Sequence, residues 1–237
     1  MTNRHDEFRV YSPTDLTISK RDIKGTEFQE IFQFVRKIIF FQKERQISNG
    51  IKGFIFYGDV GLGKTTLAKA LAHDMGSTLI FVDGSDIARP LYGEAESQVS
   101  KVFKKANEFR HSIILIDDCE SVFPTRDWVK GESWHIAQNN VFFHELDNVD
   151  TAKISVILTT NRYDLLDKAV KDRLENIEIP HPEKETQKEI ATEIFKKMKM
   201  DPDNEVFKCI DEGQFNSIRA IEKDITKRYI DEIVKSH

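Results

Sequence analysis

The run Gly58-Asp59-Val60-Gly61-Leu62-Gly63-Lys64-Thr65-Thr66 constrains this chain more than any other stretch, because it follows directly on the apolar, strand-like Phe54-Ile55-Phe56-Tyr57. A glycine-rich loop between a strand and a helix lets backbone N–H groups converge on β- and γ-phosphates. The lysine at its end supplies a point charge, and the hydroxyl beside it a ligand for Mg²⁺. Lys64 and Thr65 hold those two places, and Leu67, Leu71 and Met75 continue with helical spacing. A triphosphate is the expected ligand.

Further along, Ile113-Ile114-Leu115-Ile116 runs into Asp117-Asp118, a buried strand ending in two carboxylates. In phosphoryl transfer of this kind the first carboxylate holds the metal through its water shell and the second orients the attacking water. Both must then stand at the carboxyl edge of the sheet, beside the cradle. Lys64, Asp117 and Asp118 are thus candidate catalytic residues, and Thr65 and Asp117 candidate metal ligands.

With 237 residues and 39% hydrophobic content, the chain can bury one sizeable core plus a small appendage. It has no apolar stretch long enough to span a bilayer, and Met1–Val10 lacks the apolar centre of a signal peptide, so a cytoplasmic location is expected. Its two cysteines, Cys119 and Cys209, make neither a metal site nor a disulfide framework. A net charge of −5 argues against tight nucleic-acid binding and favours a protein partner.

The periodicity predicts an α/β fold. The first twenty residues read as polar and flexible; Phe28, Ile31, Phe32, Val35, Ile38 and Ile39 then mark one face of an amphipathic helix. Five strands are predicted at 53–57, 78–82, 112–117, 155–160 and 177–179, with helical patterns between most of them, giving a parallel sheet covered on both faces. After Pro180-His181-Pro182 the pattern is helical only, with stripes at Ile190, Ile194, Phe195 and Met198 and at Ile218, Ile221, Ile225, Tyr229 and Ile233. The expected organisation is a flexible stretch over 1–20, a nucleotide-binding α/β domain over 21–181 and a small helical domain over 182–237.

This order of elements resembles the AAA+ ATPase family. Asp22-Ile23-Lys24-Gly25 is similar to the short segment that lines the family's adenine pocket, Gly58 to Thr65 to its Walker A motif, and Ile113 to Asp118 to Walker B. Thr159-Thr160-Asn161-Arg162 resembles the sensor 1 strand end, and Leu165 to Glu175 the segment bearing the arginine finger. Ser217 to Glu222 resembles the helix start that carries a sensor 2 arginine. The resemblance implies a P-loop core with a helical lid, ATP and Mg²⁺ as cofactors, and a ring, usually hexameric. It assigns Asn161 to positioning water, Arg173 to a neighbouring subunit's site and Arg219 to the γ-phosphate from the lid; a plain surface role for either arginine stays open.

Two positions depart from the family pattern. Asp118 stands where glutamate is usual, and one methylene fewer withdraws the carboxylate by about 1 Å, which can cost on the order of 10²-fold in rate, so slow hydrolysis is expected. Asp172 occupies the place of a first finger arginine. Leu91-Tyr92-Gly93 is similar to the substrate-gripping first pore loop of protein-remodelling members, with the aromatic shifted by one position, and Trp128 and Trp134 fall where the second pore loop lies. Packing against the sheet or the loop base is the alternative for these residues. The expected function is a ring-forming ATPase that remodels or threads a protein substrate, directly or through an adaptor. The alternatives are a nucleotide-gated assembly subunit with weak hydrolysis and a DNA-acting loader or initiator.

Overall fold

A computed structural model describes residues 8–87, 94–125 and 133–235. The strands are β1 (Arg9–Tyr11), β2 (Gly53–Tyr57), β3 (Thr78–Asp83), β4 (Ser112–Asp117), β5 (Ile154–Thr160) and β6 (Glu175–Glu178). The helices are α1 (Thr26–Glu44), α2 (Lys64–Asp74), α3 (Gly84–Ile87), α4 (Glu94–Asn107), α5 (Ser133–Asp147), α6 (Lys168–Lys171), α7 (Lys184–Met198), α8 (Asn204–Asp211) and α9 (Ile218–Lys235).

The strands form a single six-stranded sheet in the order β1-β3-β4-β5-β2-β6, parallel except for β1, which runs antiparallel to β3. Period-two alternation divides each strand's side chains between two helical layers. Ile55, Ile80, Ile114, Val156 and Leu158 face α4 and α5, packing on Val99, Phe103 and Phe142. Phe54, Phe56, Leu79, Leu115 and Ile157 face α1 and α2, packing on Phe32, Val35 and Leu71. Every residue of β5 is buried, as a central parallel strand covered on both faces requires.

Five strands were expected and six are found among the described residues. The added strand, β1, falls within the stretch read as flexible. It is only three residues long and joins through backbone pairing, Val10 opposite Ile80, with Arg9 stacked 4.8 Å from the Phe81 ring centre. A three-residue edge strand carries no periodicity to read. Two short 3-10 turns follow, each closed by a serine N–H donating to the aspartate three residues on: Ser12 to Asp15 at 2.8 Å and Ser19 to Asp22 at 3.0 Å. They drop Leu16 and Ile23 into the core beneath α1 and α2.

Helices α7, α8 and α9 enclose a separate small core of Ala191, Phe195, Val206, Ile210, Ile221 and Ile225. This lid lies beside the carboxyl edge of the sheet, where strands β4, β5 and β2 are neighbours and end together. In that register Ile116 pairs with Leu158 and Tyr57 with Thr160, so the acidic pair, the segment after Thr160 and the glycine-rich loop leave the sheet side by side.

Candidate active site

The loop after β2 turns into α2 at Gly63, whose φ of 87° lies in the left-handed region that glycine enters without strain. Lys64 opens the helix and is 6% exposed. Its ammonium donates to the carbonyl oxygens of Gly58 (2.8 Å) and Asp59 (2.7 Å) and to Asn161 Oδ1 (2.6 Å), which uses all three of its protons. Burial lowers the Lys64 pKa, while Asp118, Glu120, Asp117 and Asp59 pull it the other way. The charge sits inside the curve of the loop rather than in open solvent.

At the end of β4, Asp117 Oδ1 accepts from Thr65 Oγ1 at 2.7 Å and also from Thr159 Oγ1. Asp118 takes a left-handed backbone, φ 50° and ψ 50°, which aspartate tolerates better than most residues. Its N–H donates to Thr159 Oγ1 (3.3 Å) and its Oδ1 accepts from Asn161 Nδ2 (3.0 Å). Partial desolvation raises the Asp118 carboxyl pKa from its ordinary value even though the residue as a whole is exposed; Asp117, Glu120 and Asp83 raise it further, and Lys64 lowers it. One hydrogen-bonded chain therefore runs from Thr65 through Asp117, Thr159, Asp118 and Asn161 to Lys64. The sequence marks Thr159 only as part of the sensor 1-like segment, two residues before Asn161, with no role of its own. Cys119, next in line, is a free buried thiol whose pKa burial pushes well up, which suits packing and not nucleophilic chemistry.

The donor set at Thr65 and Asp117 fits Mg²⁺, a hard cation that takes one or two protein oxygens and completes its shell with water and substrate phosphates. Among the described residues no group of three or more His, Cys, Asp or Glu side chains converges to hold an ion unaided. Mg²⁺ at this position would neutralise phosphate charge and so polarise the bond to be cleaved.

Between the core and the lid lies a cavity of about 320 Å³. Asp22, Ile23 and Phe28 line one wall, Gly61 to Gly63 with Thr66 the floor, and Ile190, Ile218 and Arg219 the lid side. The wall is apolar with a few polar groups, the character of a small-molecule site. Asp22 itself is engaged, since its carboxylate accepts from Ser19 N–H and from Lys197 Nζ of the lid, each at 3.0 Å. Lid and loop touch directly: Arg219 N–H donates to Gly61 O at 3.2 Å. A side chain at Gly61 would start 2.7 Å from Arg219 Cβ, so this approach requires glycine. Within the loop Leu62 is buried among α1 and α2 residues, whereas Val60 is 53% exposed.

Arg173 stands apart from this network. Its Nε pairs with Asp147 Oδ1 at 3.3 Å, one Nη donates to Ala169 O at 3.1 Å, and its guanidinium lies 4.4 Å from the Phe143 ring centre. Its ion-pair partner is thus at the end of α5 rather than the neighbouring Glu175 or Asp172. Leu91, Tyr92, Gly93 and Trp128 lie outside the described residues; Trp134 falls in the first turn of α5.

A glycine-rich loop entering a helix, a lysine inside it and a metal-suited carboxylate at the adjacent strand end are the parts that a nucleotide-phosphate site on a parallel α/β sheet requires. A family model described as "ATPase family associated with various cellular activities (AAA)" matches residues 54–181, more than half of the chain, and the chain belongs to that family. It is 38% identical over 148 residues to Protein SAV of Sulfolobus acidocaldarius, covering 59% of this chain and 18% of that protein. It is 36% identical over 161 residues to the cell division cycle protein 48 homolog of Archaeoglobus fulgidus, covering 64% and 21% respectively. To the proteasome-activating nucleotidase of Pyrococcus abyssi it is 36% identical over 157 residues, covering 63% and 39%. The chain thus spans between 18% and 39% of the length of these three relatives. No described helix is long and apolar enough to cross a membrane.

Proposed function

We propose that this chain binds ATP with Mg²⁺ in the cavity between core and lid, hydrolyses it slowly, and uses the cycle, as one subunit of a homo-oligomeric ring, to remodel a protein substrate in the cytoplasm. The observation that carries the reading is the continuous network joining Lys64, Asn161, Asp118, Asp117 and Thr65. Phosphoryl transfer asks a protein for positioning and charge neutralisation, and those are the tasks these groups can divide.

In this scheme the loop N–H groups and Lys64 receive the phosphates, and Thr65 and Asp117 hold the cation. Asn161 has its amide nitrogen on Asp118 and its oxygen on Lys64, so it fixes the base relative to the phosphate counter-charge. Asp118 accepts the proton of the attacking water; the partial desolvation that raises its pKa also makes it a better base. Arg173, exposed and held by an ion pair that costs little to release, is the group offered to a neighbouring subunit. Arg219 reaches the cavity from the lid. The names of the relatives, a proteasome-activating nucleotidase among them, support a protein substrate or adaptor over nucleic acid. The shortness of Asp118 favours one second reading, an ATP-gated scaffold that scarcely turns over.

The test is ATP turnover per subunit with Mg²⁺ across a wide protein concentration range, with nucleotide binding measured in parallel. Turnover that rises with concentration to a plateau is expected. Arg173→Ala should lose it by on the order of 10³-fold with binding retained. Mixing Arg173→Ala with Lys64→Ala protein should restore part of it. Tight binding with no turnover at any concentration would replace the motor by the scaffold.

A further inference from the structure

His181 lies between Pro180 and Pro182, at the point where the chain leaves the sheet for the lid. The prolines fix their own φ angles, and Pro182 also restricts the backbone of His181 to extended conformations, so the ring is presented from a stiff segment. Its Nδ1 is 2.7 Å from the carbonyl oxygen of Asn216, at the entry to α9, and its Nε2 is 3.0 Å from Asp59 Oδ2 of the phosphate loop. Both partners are acceptors only. Nδ1 must therefore carry a proton to meet Asn216, and a neutral ring would then turn the Nε2 lone pair toward a carboxylate oxygen. The arrangement is attractive on both sides only when both nitrogens are protonated.

We propose that His181, as an imidazolium, is a positioning residue that ties the phosphate loop to the lid and so holds the nucleotide cavity closed. Asp59 is two residues before Gly61, whose carbonyl takes the Arg219 N–H, and Asn216 is three residues before Arg219. The two lid-to-loop contacts thus reinforce one another from adjacent positions. The ionisable groups around the ring are few. On the loop they are Asp59, which faces it, and Lys64, whose ammonium is held on the Asp59 carbonyl. On its own segment Glu183 has its N–H on Glu27 of α1, and the lid offers the Asn216 carbonyl with Arg219 beyond. Loss of the ring proton removes the attraction to Asp59 while leaving the fold of either domain untouched, because neither core contains His181. Lid closure is therefore weaker wherever the ring is neutral.

The inference rests on the nucleotide-site reading for its purpose, but its test does not need nucleotide. Amide hydrogen exchange is measured on the full chain without ligand at pH 6 and pH 8.5, for the native sequence, His181→Ala, His181→Gln and Asp59→Asn. At pH 6 the amides of residues 58–63 and 216–221 should exchange about two- to five-fold faster in all three variants than in the native protein, the scale an exposed ion pair supports. At pH 8.5 native protein, His181→Gln and Asp59→Asn should match, while His181→Ala keeps only the smaller acceleration that loss of the Asn216 hydrogen bond brings. Glutamine keeps a donor for Asn216 without the charge, so it separates the ion pair from simple loss of the ring. Equal exchange at pH 6, or the same acceleration at both pH values, overturns the proposal. Dissociation of a fluorescent ADP, followed on the same four proteins, should quicken by a similar factor at pH 6 only. Absence of any nucleotide binding would count against the nucleotide site and leave the exchange result to judge the His181 tie.

Discussion

The sheet edge and the lid make opposite uses of the same sequence. At the sheet edge, side chains are hydrogen-bonded to one another: the buried Lys64 gives its three protons to fixed oxygens, and the half-buried Asp117 is held between two threonines. The lid has its own small core around Phe195 and Ile221 and meets the phosphate loop through a few contacts, the Arg219 N–H and the His181 ring among them. The first arrangement preorganises charge, which is where most catalytic benefit comes from. The second joins two bodies without a shared core, through surface contacts that include Lys197 to Asp22, Glu189 to Gly25 and Glu27 to Glu183. A dense side-chain network lies where the phosphate is expected, and a junction of separate surface contacts lies beside the cavity.

That contrast predicts that damage at the edge removes chemistry with the fold intact, while damage in the lid removes structure. The largest effect is expected from Lys64→Ala, which takes away the phosphate counter-charge: ATP turnover should fall below detection while the thermal transition is retained. Turnover at the native rate would end the phosphate-cradle assignment. Phe195→Ala, by opening a cavity in the lid core, should destabilise that unit by about 3–5 kcal/mol, seen in calorimetry as a separate early transition. A single transition moving as a whole would mean that lid and core are one cooperative unit and the comparison is wrong.

Smaller effects sharpen it. Asp118→Glu should raise turnover by up to about 10²-fold, since the longer side chain recovers the reach that aspartate lacks; unchanged or lower single-turnover rates would show that reach is not what limits hydrolysis. Asn161→Ala should lower single-turnover hydrolysis by about 10²-fold and change nucleotide affinity less than about threefold, because it frees Asp118 and Lys64 from one another. An affinity loss as large as the rate loss would place Asn161 in binding instead. The smallest change is Arg228→Ala in the lid, which loses half-buried ion pairs to Asp203 and Asp224 and should cost about 0.5–1 kcal/mol in lid stability without altering turnover.

The sequence by itself determined the α/β class, the place of the phosphate loop and the acidic strand end, and the helical character of the last fifty or so residues. These are carried by local signals: the glycine spacing, the apolar runs of 54–57 and 113–116, and the helical stripes after Pro182. Only the tertiary structure decided the rest. Strand order brought Thr159 onto Asp117 and Asn161 between Asp118 and Lys64, contacts that span some forty to a hundred residues of chain. It added Arg9–Tyr11 to the sheet edge by backbone pairing, with Arg9 on the Phe81 ring and Tyr11 against the core. It gave Arg173 to Asp147, and His181 both a loop carboxylate and a lid carbonyl. Periodicity records which face of an element is buried; which side chains from distant elements then meet depends on sheet order and register, and no local pattern encodes those.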